Sequence, residues 1–192
     1  KFSEISTKYK IPIINDAAEA FGATCKNRKM DPLADVTSYS LENSKHITTG
    51  DGGILVTNNE EMAVNMRKFG SLSYSAMKAG DGRIRINKLI FQDPNYSRHD
   101  DIGLNYRMPE VAAALGLAQL ERIEFFINKR IKNASILREA ISNCDWLKEQ
   151  ECDAGYKHTQ WTYVLRILRD DIDWKEFQRR FNSYGGDGPY AC

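Results

Sequence analysis

One lysine, Lys45, stands in a polar bend between two β-prone runs, Thr37–Leu41 and Gly53–Thr57, with the glycine-rich run Gly50-Asp51-Gly52-Gly53 directly after the bend. Such a setting puts the amine at the end of a strand rather than on a solvated helix face. A lysine that condenses with a carbonyl must shed its proton near neutral pH, which takes partial desolvation or neighbouring charge, and a strand end offers both more readily than open surface. Local sequence alone leaves a plain surface lysine beside a glycine turn as the competing reading. Two further blocks carry groups of the same kind. The run Ile13-Ile14-Asn15-Asp16-Ala17-Ala18-Glu19-Ala20 brings two carboxylates out of an apolar stretch, and Gly103-Leu104-Asn105-Tyr106-Arg107-Met108 brings an amide and a guanidinium ahead of a helix.

The elements that position these groups are legible in outline. Residues 1–10 read as a helix and 11–15 as a fully buried strand, so Asp16 falls at a strand's carboxyl end, where open α/β sheets place their ligands. Residues 36–41 and 53–57 read as further strands. Asn58-Asn59-Glu60-Glu61 signals the start of a helix over 60–69, through an asparagine cap followed by acidic first-turn residues. Residues 70–107, with Gly80, Gly82, Pro94 and many charges, carry little periodicity and predict a long loop, which a compact domain keeps only to bind something.

Pro109 opens a helix predicted to run to about residue 142, with Val111, Leu115, Ala118, Ile123, Phe126, Ile127, Ala134, Leu137 and Ile141 as a near-continuous apolar stripe. Ala112, Ala113, Ala114 and Gly116 make its start narrow enough for close backbone approach. Residues 158–168 alternate as a strand through Trp161, Tyr163, Leu165 and Ile167, and 172–183 form an amphipathic helix through Trp174, Phe177 and Phe181. The expected organisation is a large α/β portion over 1–107, a long connecting helix over 108–143, and the start of a small α+β domain over 144–192.

Three motifs occur together: the strand-D-A-A-E-A block at Asp16, the S-x4-K-x4-G-D-G-G block at Ser40 and Lys45, and the N-Y-R-M block at Asn105. In order and spacing they resemble the DegT/StrS family of pyridoxal-phosphate-dependent nucleotide-sugar aminotransferases, over nearly the whole chain. The resemblance implies the aspartate-aminotransferase-like fold (PLP fold type I), with a three-layer α/β large domain. It implies pyridoxal 5′-phosphate as cofactor and transfer of an amino group, from glutamate, to a keto-sugar nucleotide in amino-sugar biosynthesis, lipopolysaccharide supply being one outlet. It also implies a homodimer. Compared with the family, the chain looks like an internal portion of about half the usual length.

By the same resemblance Lys45 is the catalytic lysine that carries the cofactor's aldehyde and moves the proton, and Asp16 the carboxylate on the pyridine nitrogen. A turn or helix cap is the competing reading for Asp16. Glu19 matches a position facing the cofactor ring, against a plain first-turn surface glutamate. Ser40 matches the serine that binds the phosphate, and Asn105 the asparagine that reaches the phosphate of a partner's cofactor; a strand serine and a turn asparagine are the plain alternatives. Arg107 is expected to anchor the substrate diphosphate or to pair within the interface. His46 is expected to touch the sugar or to be a solvated strand-end histidine. The glycine-threonine or glycine-serine turn and the stacking aromatic of the family site have no counterpart here, so this chain alone is expected to bind the cofactor poorly. Asp51 replaces the usual glutamate of G-E-G-G. Two alternatives remain at this point: the family's dehydratase branch, in which a histidine stands in place of the lysine, and a non-catalytic aminotransferase-like fragment.

Composition excludes other classes. With 192 residues, 42% apolar, the chain suits one ordinary domain or one domain with an appendage. Its 27 basic and 26 acidic residues are interspersed, leaving a net charge of +1 and no basic stripe for nucleic acid or a membrane surface. Cys25, Cys144, Cys152 and Cys192 are scattered without C-x-x-C or clustered histidines, so neither a metal site nor a disulfide framework is expected, and a reducing cytoplasm suits this usage. No apolar run approaches the length of a membrane span.

Overall fold

The computed structural model describes residues 2–29, 34–80 and 86–189. Helix α1 (Phe2–Tyr9) leads into strand β1 (Ile14–Asp16). A tight hairpin of β2 (Thr24–Cys25) and β3 (Arg28–Lys29) follows, turning on Lys26 and Asn27, both at positive φ, as two-residue hairpin loops require. Strands β4 (Val36–Ser40) and β5 (Gly53–Val56) complete a three-stranded sheet in the order β1-β4-β5. β1 runs parallel to β4 with Asp16 opposite Ser38, whereas β5 returns antiparallel with Gly53 opposite Ser40. The Lys45 bend is the connection that makes this reversal.

Strand β1 departs from expectation. It is shorter than predicted and is not buried: Ile14 is 74% exposed, because β1 is the sheet's edge and pairs only with β4 among the described residues. Helix α2 (Glu60–Phe69) matches its prediction, with the Asn59 carboxamide oxygen accepting from the Met62 amide at 2.9 Å and Glu60 and Glu61 in the first turn. The segment over 70–107 is not wholly irregular. It contains the short helix α3 (Lys88–Gln92) and a bridge between Tyr74 and His99, whose rings lie 5.0 Å apart. Gly82 lies outside the described residues.

The single long helix predicted from Pro109 is two helices, α4 (Glu110–Leu120) and α5 (Ile123–Ala140), broken at Arg122 with φ −109° and ψ 10°. No proline or glycine breaks it. The two halves instead follow different neighbours. α4 is tied to the Lys45 loop: Gln119 receives the Thr48 amide at 3.0 Å and donates to the Thr48 carbonyl at 2.6 Å. Gly116 sits so close to Thr49 that a Cβ there would meet the threonine methyl at 2.9 Å, the close approach expected of its small residues. α5 turns inward through Ile127 and Ala134. Part of the predicted stripe is open, with Val111 84%, Leu115 48% and Leu137 45% exposed.

Strand β6 (Leu147–Glu149), absent from the sequence reading, pairs antiparallel with β7 (Leu165–Ile167), and Asp173 caps helix α6 (Trp174–Ser183). The strand expected over 158–168 is reduced to its last part. Its earlier residues spend their backbone on side chains: the Thr159 carbonyl bonds His46, the Trp161 carbonyl bonds Arg130, and Gln160 between them has φ +56°. The buried core joins Phe21, Leu41 and Ile47, with Tyr39, Ile54, Met108, Ile123 and Phe126 packed around it. Phe21 stacks on Tyr39 at 4.5 Å between ring centres.

Candidate functional site

The Lys45 bend is tied at both ends. The Leu41 amide donates to the Gly52 carbonyl at 2.9 Å and the Thr49 amide to the Leu41 carbonyl at 3.0 Å, closing the loop on itself. Inside it, the Ser44 amide and hydroxyl both donate to the Glu42 carboxylate, at 2.9 and 2.6 Å. These bonds hold the Glu42 carboxyl below its ordinary range. The Lys45 side chain, 14% exposed, reaches back across the sheet to Glu19, with Nζ 3.1 Å from Oε1.

The other side of the lysine is covered from the far end of the chain. The Trp161 ring lies under the Lys45 ammonium, 4.2 Å from ring centre to nitrogen. Its indole N–H donates to the Ser44 carbonyl at 3.0 Å. His46 is buried, and its Nε2 lies 3.1 Å from the Thr159 carbonyl; since a carbonyl only accepts, Nε2 carries the proton, and Nδ1 is left buried with no partner among the described residues. Burial pushes the His46 imidazole below its ordinary pKa, against the raising effect of the Thr159 bond. Neither a solvated histidine nor one presenting an open edge to a sugar fits this placement. Trp161 and Thr159 went unnoticed as site residues in the sequence reading, and nothing in the alternation around them singles them out.

Asp16 and Ser40 close adjacent parallel strands at the same end, as the register of Asp16 opposite Ser38 fixes. Asp16 is exposed at the end of β1 and accepts the Ala18 amide at 3.0 Å, which turns the chain so that Glu19 faces Lys45. Ser40 Oγ accepts the Glu42 amide at 3.2 Å, leaving its O–H to donate elsewhere. A hollow of about 910 Å³ opens beside β1, lined among others by Asp16, Phe21, Tyr39, Ile123 and His158. Lys45 and Ser40 do not line it.

Asn105 and Arg107 form a separate, exposed turn. Asn105 has φ +55°, its amide donates to the Ser71 carbonyl at 2.9 Å, and its side chain accepts the Arg107 Nε at 2.7 Å. Gly103 lets this turn lie on the backbone at Ser71: a Cβ there would stand 2.1 Å from the Ser71 oxygen. The structure thus brings Lys45 together with Glu19, sets Asp16 and Ser40 at the carboxyl ends of neighbouring parallel strands, buries His46 behind the lysine, and pairs Asn105 with Arg107 rather than with that group. Among the described residues no cluster of metal-ligating side chains occurs, and no helix is long and apolar enough to cross a membrane.

Residues 1–186 match the DegT/DnrJ/EryC1/StrS aminotransferase family. The chain is 31% identical over 166 residues to a GDP-perosamine synthase of Caulobacter vibrioides, covering 85% of this chain and 40% of that protein. It is 31% identical over 173 residues to a GDP-perosamine synthase of Escherichia coli O157:H7, covering 90% and 42%. It therefore spans about two fifths of the length of these relatives. Among solved structures, the E. coli GDP-4-keto-6-deoxy-D-mannose-3-dehydratase with bound hydrated PLP superposes with a TM-score of 0.78 at 23% identity, over 96% of this chain and 47% of that one, which shows the aspartate-aminotransferase-like fold. From one end of the described fold to the other, the chain belongs to the DegT/DnrJ/EryC1/StrS aminotransferase family.

Proposed function

We propose that this chain is the lysine-bearing portion of a pyridoxal-phosphate-dependent enzyme that transfers an amino group from glutamate to a keto-sugar nucleotide, in the cytoplasm and as a homodimer. The observation that carries this reading is Lys45: a mostly buried primary amine in a pinned bend, held by Glu19, at the end of the sheet where β1 and β4 finish with Asp16 and Ser40. A lysine at this position weighs against the dehydratase branch despite the shared fold. The naming of relatives as GDP-perosamine synthases supports a nucleotide-sugar substrate.

The residues present fit the cofactor. Lys45 would hold its aldehyde, Asp16 the pyridine nitrogen through the oxygen not used by Ala18, and Ser40 a phosphate oxygen through its O–H; Asn105 would serve the phosphate of a partner subunit. Bound there, pyridoxal phosphate supplies the electron sink for breaking bonds at the carbon that bears the transferred amine. Glu19 orients the lysine, and Lys45 Nζ accepts and returns the proton as the amino group moves. Arg107, exposed and bonded to Asn105, would meet a diphosphate or pair within the interface. His46 supports the lysine's backbone from behind.

Residues 1–107 then form part of the large domain, 108–143 the connection, and 144–192 the start of the small domain. The exposed apolar side chains of α4, with Tyr106 74% exposed ahead of it, supply surface of the kind a second subunit covers. The free thiols of Cys25, Cys144 and Cys152 suit a reducing compartment. An absorbance titration with pyridoxal phosphate, on this protein and on Lys45→Ala, tests the reading. Weak binding with a visible band that depends on Lys45 is expected; binding that is equal in both proteins would overturn it.

A further inference from the structure

Lys45 is held by residues of the distant C-terminal part as firmly as by its own loop. The tripeptide Ser44-Lys45-His46 is gripped on both sides by Thr159-Gln160-Trp161. Ahead of the lysine, the Ser44 carbonyl receives the Trp161 indole N–H at 3.0 Å. Behind it, the His46 Nε2–H reaches the Thr159 carbonyl at 3.1 Å, in a bond that is fully buried with Thr159 2% and His46 5% exposed. Between these, the ammonium itself rests on the Trp161 ring.

The grip is built and held in place. Gln160 adopts φ +56°, a region non-glycine residues enter at a cost, and this conformation separates the two contacts so that each meets its target. Its amide is satisfied locally by the His158 ring at 3.2 Å. Arg130 on α5 anchors the far side by donating to the Trp161 carbonyl at 3.0 Å. Glu19 thus meets the lysine amine through a carboxylate oxygen and Trp161 through its ring face.

We propose that Trp161 is a positioning residue for Lys45: its indole fixes the lysine side chain against Glu19 and, with the Thr159–His46 bond, makes the lysine's orientation depend on docking of the 159–161 segment. The proposal deepens the function assigned above and takes from it only the importance of Lys45. Removing the ring frees the amine to leave Glu19 and sample solvent. Phenylalanine keeps a ring face for the ammonium but loses the bond to Ser44, so it separates the two contacts.

The test is competitive labelling of lysines with trace acetic anhydride in the cofactor-free protein, read peptide by peptide by mass spectrometry. Trp161→Ala is expected to raise Lys45 labelling relative to Lys88 by about two- to fivefold, the scale set by losing one cation–π contact. Trp161→Phe is expected to fall between it and the parent. Trp146→Phe, at a ring that packs on Phe177 away from the lysine, is expected to leave Lys45 unchanged. Circular dichroism identifies a variant that has unfolded, in which all lysines rise together; Trp161→Phe then carries the decision. Lys45 labelling unchanged in a folded Trp161 variant, or changed equally by Trp146→Phe, would overturn the proposal. The readout needs no cofactor, so a protein that fails the pyridoxal phosphate titration but passes this test loses the aminotransferase reading and keeps the clasp.

Discussion

His46 and Thr159, 113 residues apart, share a buried hydrogen bond in which the imidazole Nε2–H donates to a backbone carbonyl. This leaves Nδ1 as a buried lone pair without a donor among the described residues, an arrangement that suits neutral imidazole alone. A proton added to Nδ1 would be charged, buried and close to Arg130 and His158, both of which oppose it, while the Thr159 bond and Glu19 favour it less strongly than burial disfavours it.

The direction of the pH dependence follows. The folded-state pKa of His46 is lowered from its ordinary 6.5, so the unfolded chain takes up a proton that the folded chain refuses. The contribution to stability is complete above about pH 6.5 and is lost as the pH falls from there through the folded pKa. His46→Gln keeps a donor for Thr159 and removes the titration. Urea unfolding at a series of pH values is expected to show a shallower loss on the acid side in the variant than in the parent; parallel curves would mean that His46 is not the group responsible.

A second titrating cluster ties α5 to the C-terminal sheet. Glu149 at the end of β6 accepts from Arg138 Nε at 2.6 Å and from the Tyr163 hydroxyl at 3.1 Å. The Arg138 bond holds the Glu149 carboxyl below its ordinary 4.5, and burial together with Glu149 pushes the Tyr163 hydroxyl up. The carboxylate's contribution is therefore present above about pH 4.5 and lost as the pH falls through the lowered folded value. Because the Arg138 side chain is 52% exposed, the pair is screened. Glu149→Gln is expected to cost only about 0.5–1 kcal/mol at neutral pH, with the difference from the parent vanishing in acid, as thermal melts at two pH values would read.

The contrast between these clusters and the motif residues explains what sequence could reveal. The placing of Asp16 and Ser40 at strand ends and of Lys45 in a bend was legible because strand ends and glycine bends leave local signatures, and the Asn59 cap of α2 was legible for the same reason. The grip of Thr159 and Trp161 on the lysine was not, since it joins residues more than a hundred positions apart and requires a left-handed Gln160 that no composition signals. The division of α4 from α5 was hidden too. A periodic apolar stripe records that side chains could face one way, but the break at Arg122 is decided by which neighbours each half meets, Thr48 and Thr49 for one and the interior around Ile127 for the other. The two-residue turn at Lys26-Asn27 lacks the glycine that usually marks such hairpins, and the hairpin passed unseen.

Gly103 carries a steric prediction for the Asn105 turn. A Cβ at this position would meet the Ser71 carbonyl oxygen at 2.1 Å and the Ser73 amide at 2.8 Å, both backbone atoms that cannot rotate aside. Those same strands of backbone hold the turn, through Leu104 to Phe69 at 2.8 Å and Asn105 to Ser71 at 2.9 Å. Gly103→Ala is expected to cost about 1–3 kcal/mol, measured by chemical denaturation. It is also expected to expose the amides of Leu104 and Asn105 to hydrogen exchange ahead of the rest of the protein, and unchanged protection at those two amides would show that the close approach does not hold the turn.

Ile127 is the point at which α5 enters the interior. It is completely buried, and its Cδ1 fills the space over Gly22, where a Cβ would stand 2.5 Å from it. Gly22 follows Phe21, a member of the core beneath the Lys45 loop, so this side chain joins Ile123 and Phe126 in packing the helix against the Asp16–Gly22 turn. Truncation leaves a cavity that neither a helix nor a hydrogen-bonded turn can easily collapse around. Ile127→Ala is therefore expected to cost about 2–5 kcal/mol, whereas Ile127→Val, which keeps most of the volume, should cost about 0.5–1.5 kcal/mol. An equal, small loss in both variants by urea melts would show that the turn relaxes onto the helix, and that the Glu19 side of the lysine site is less rigidly backed than its packing indicates.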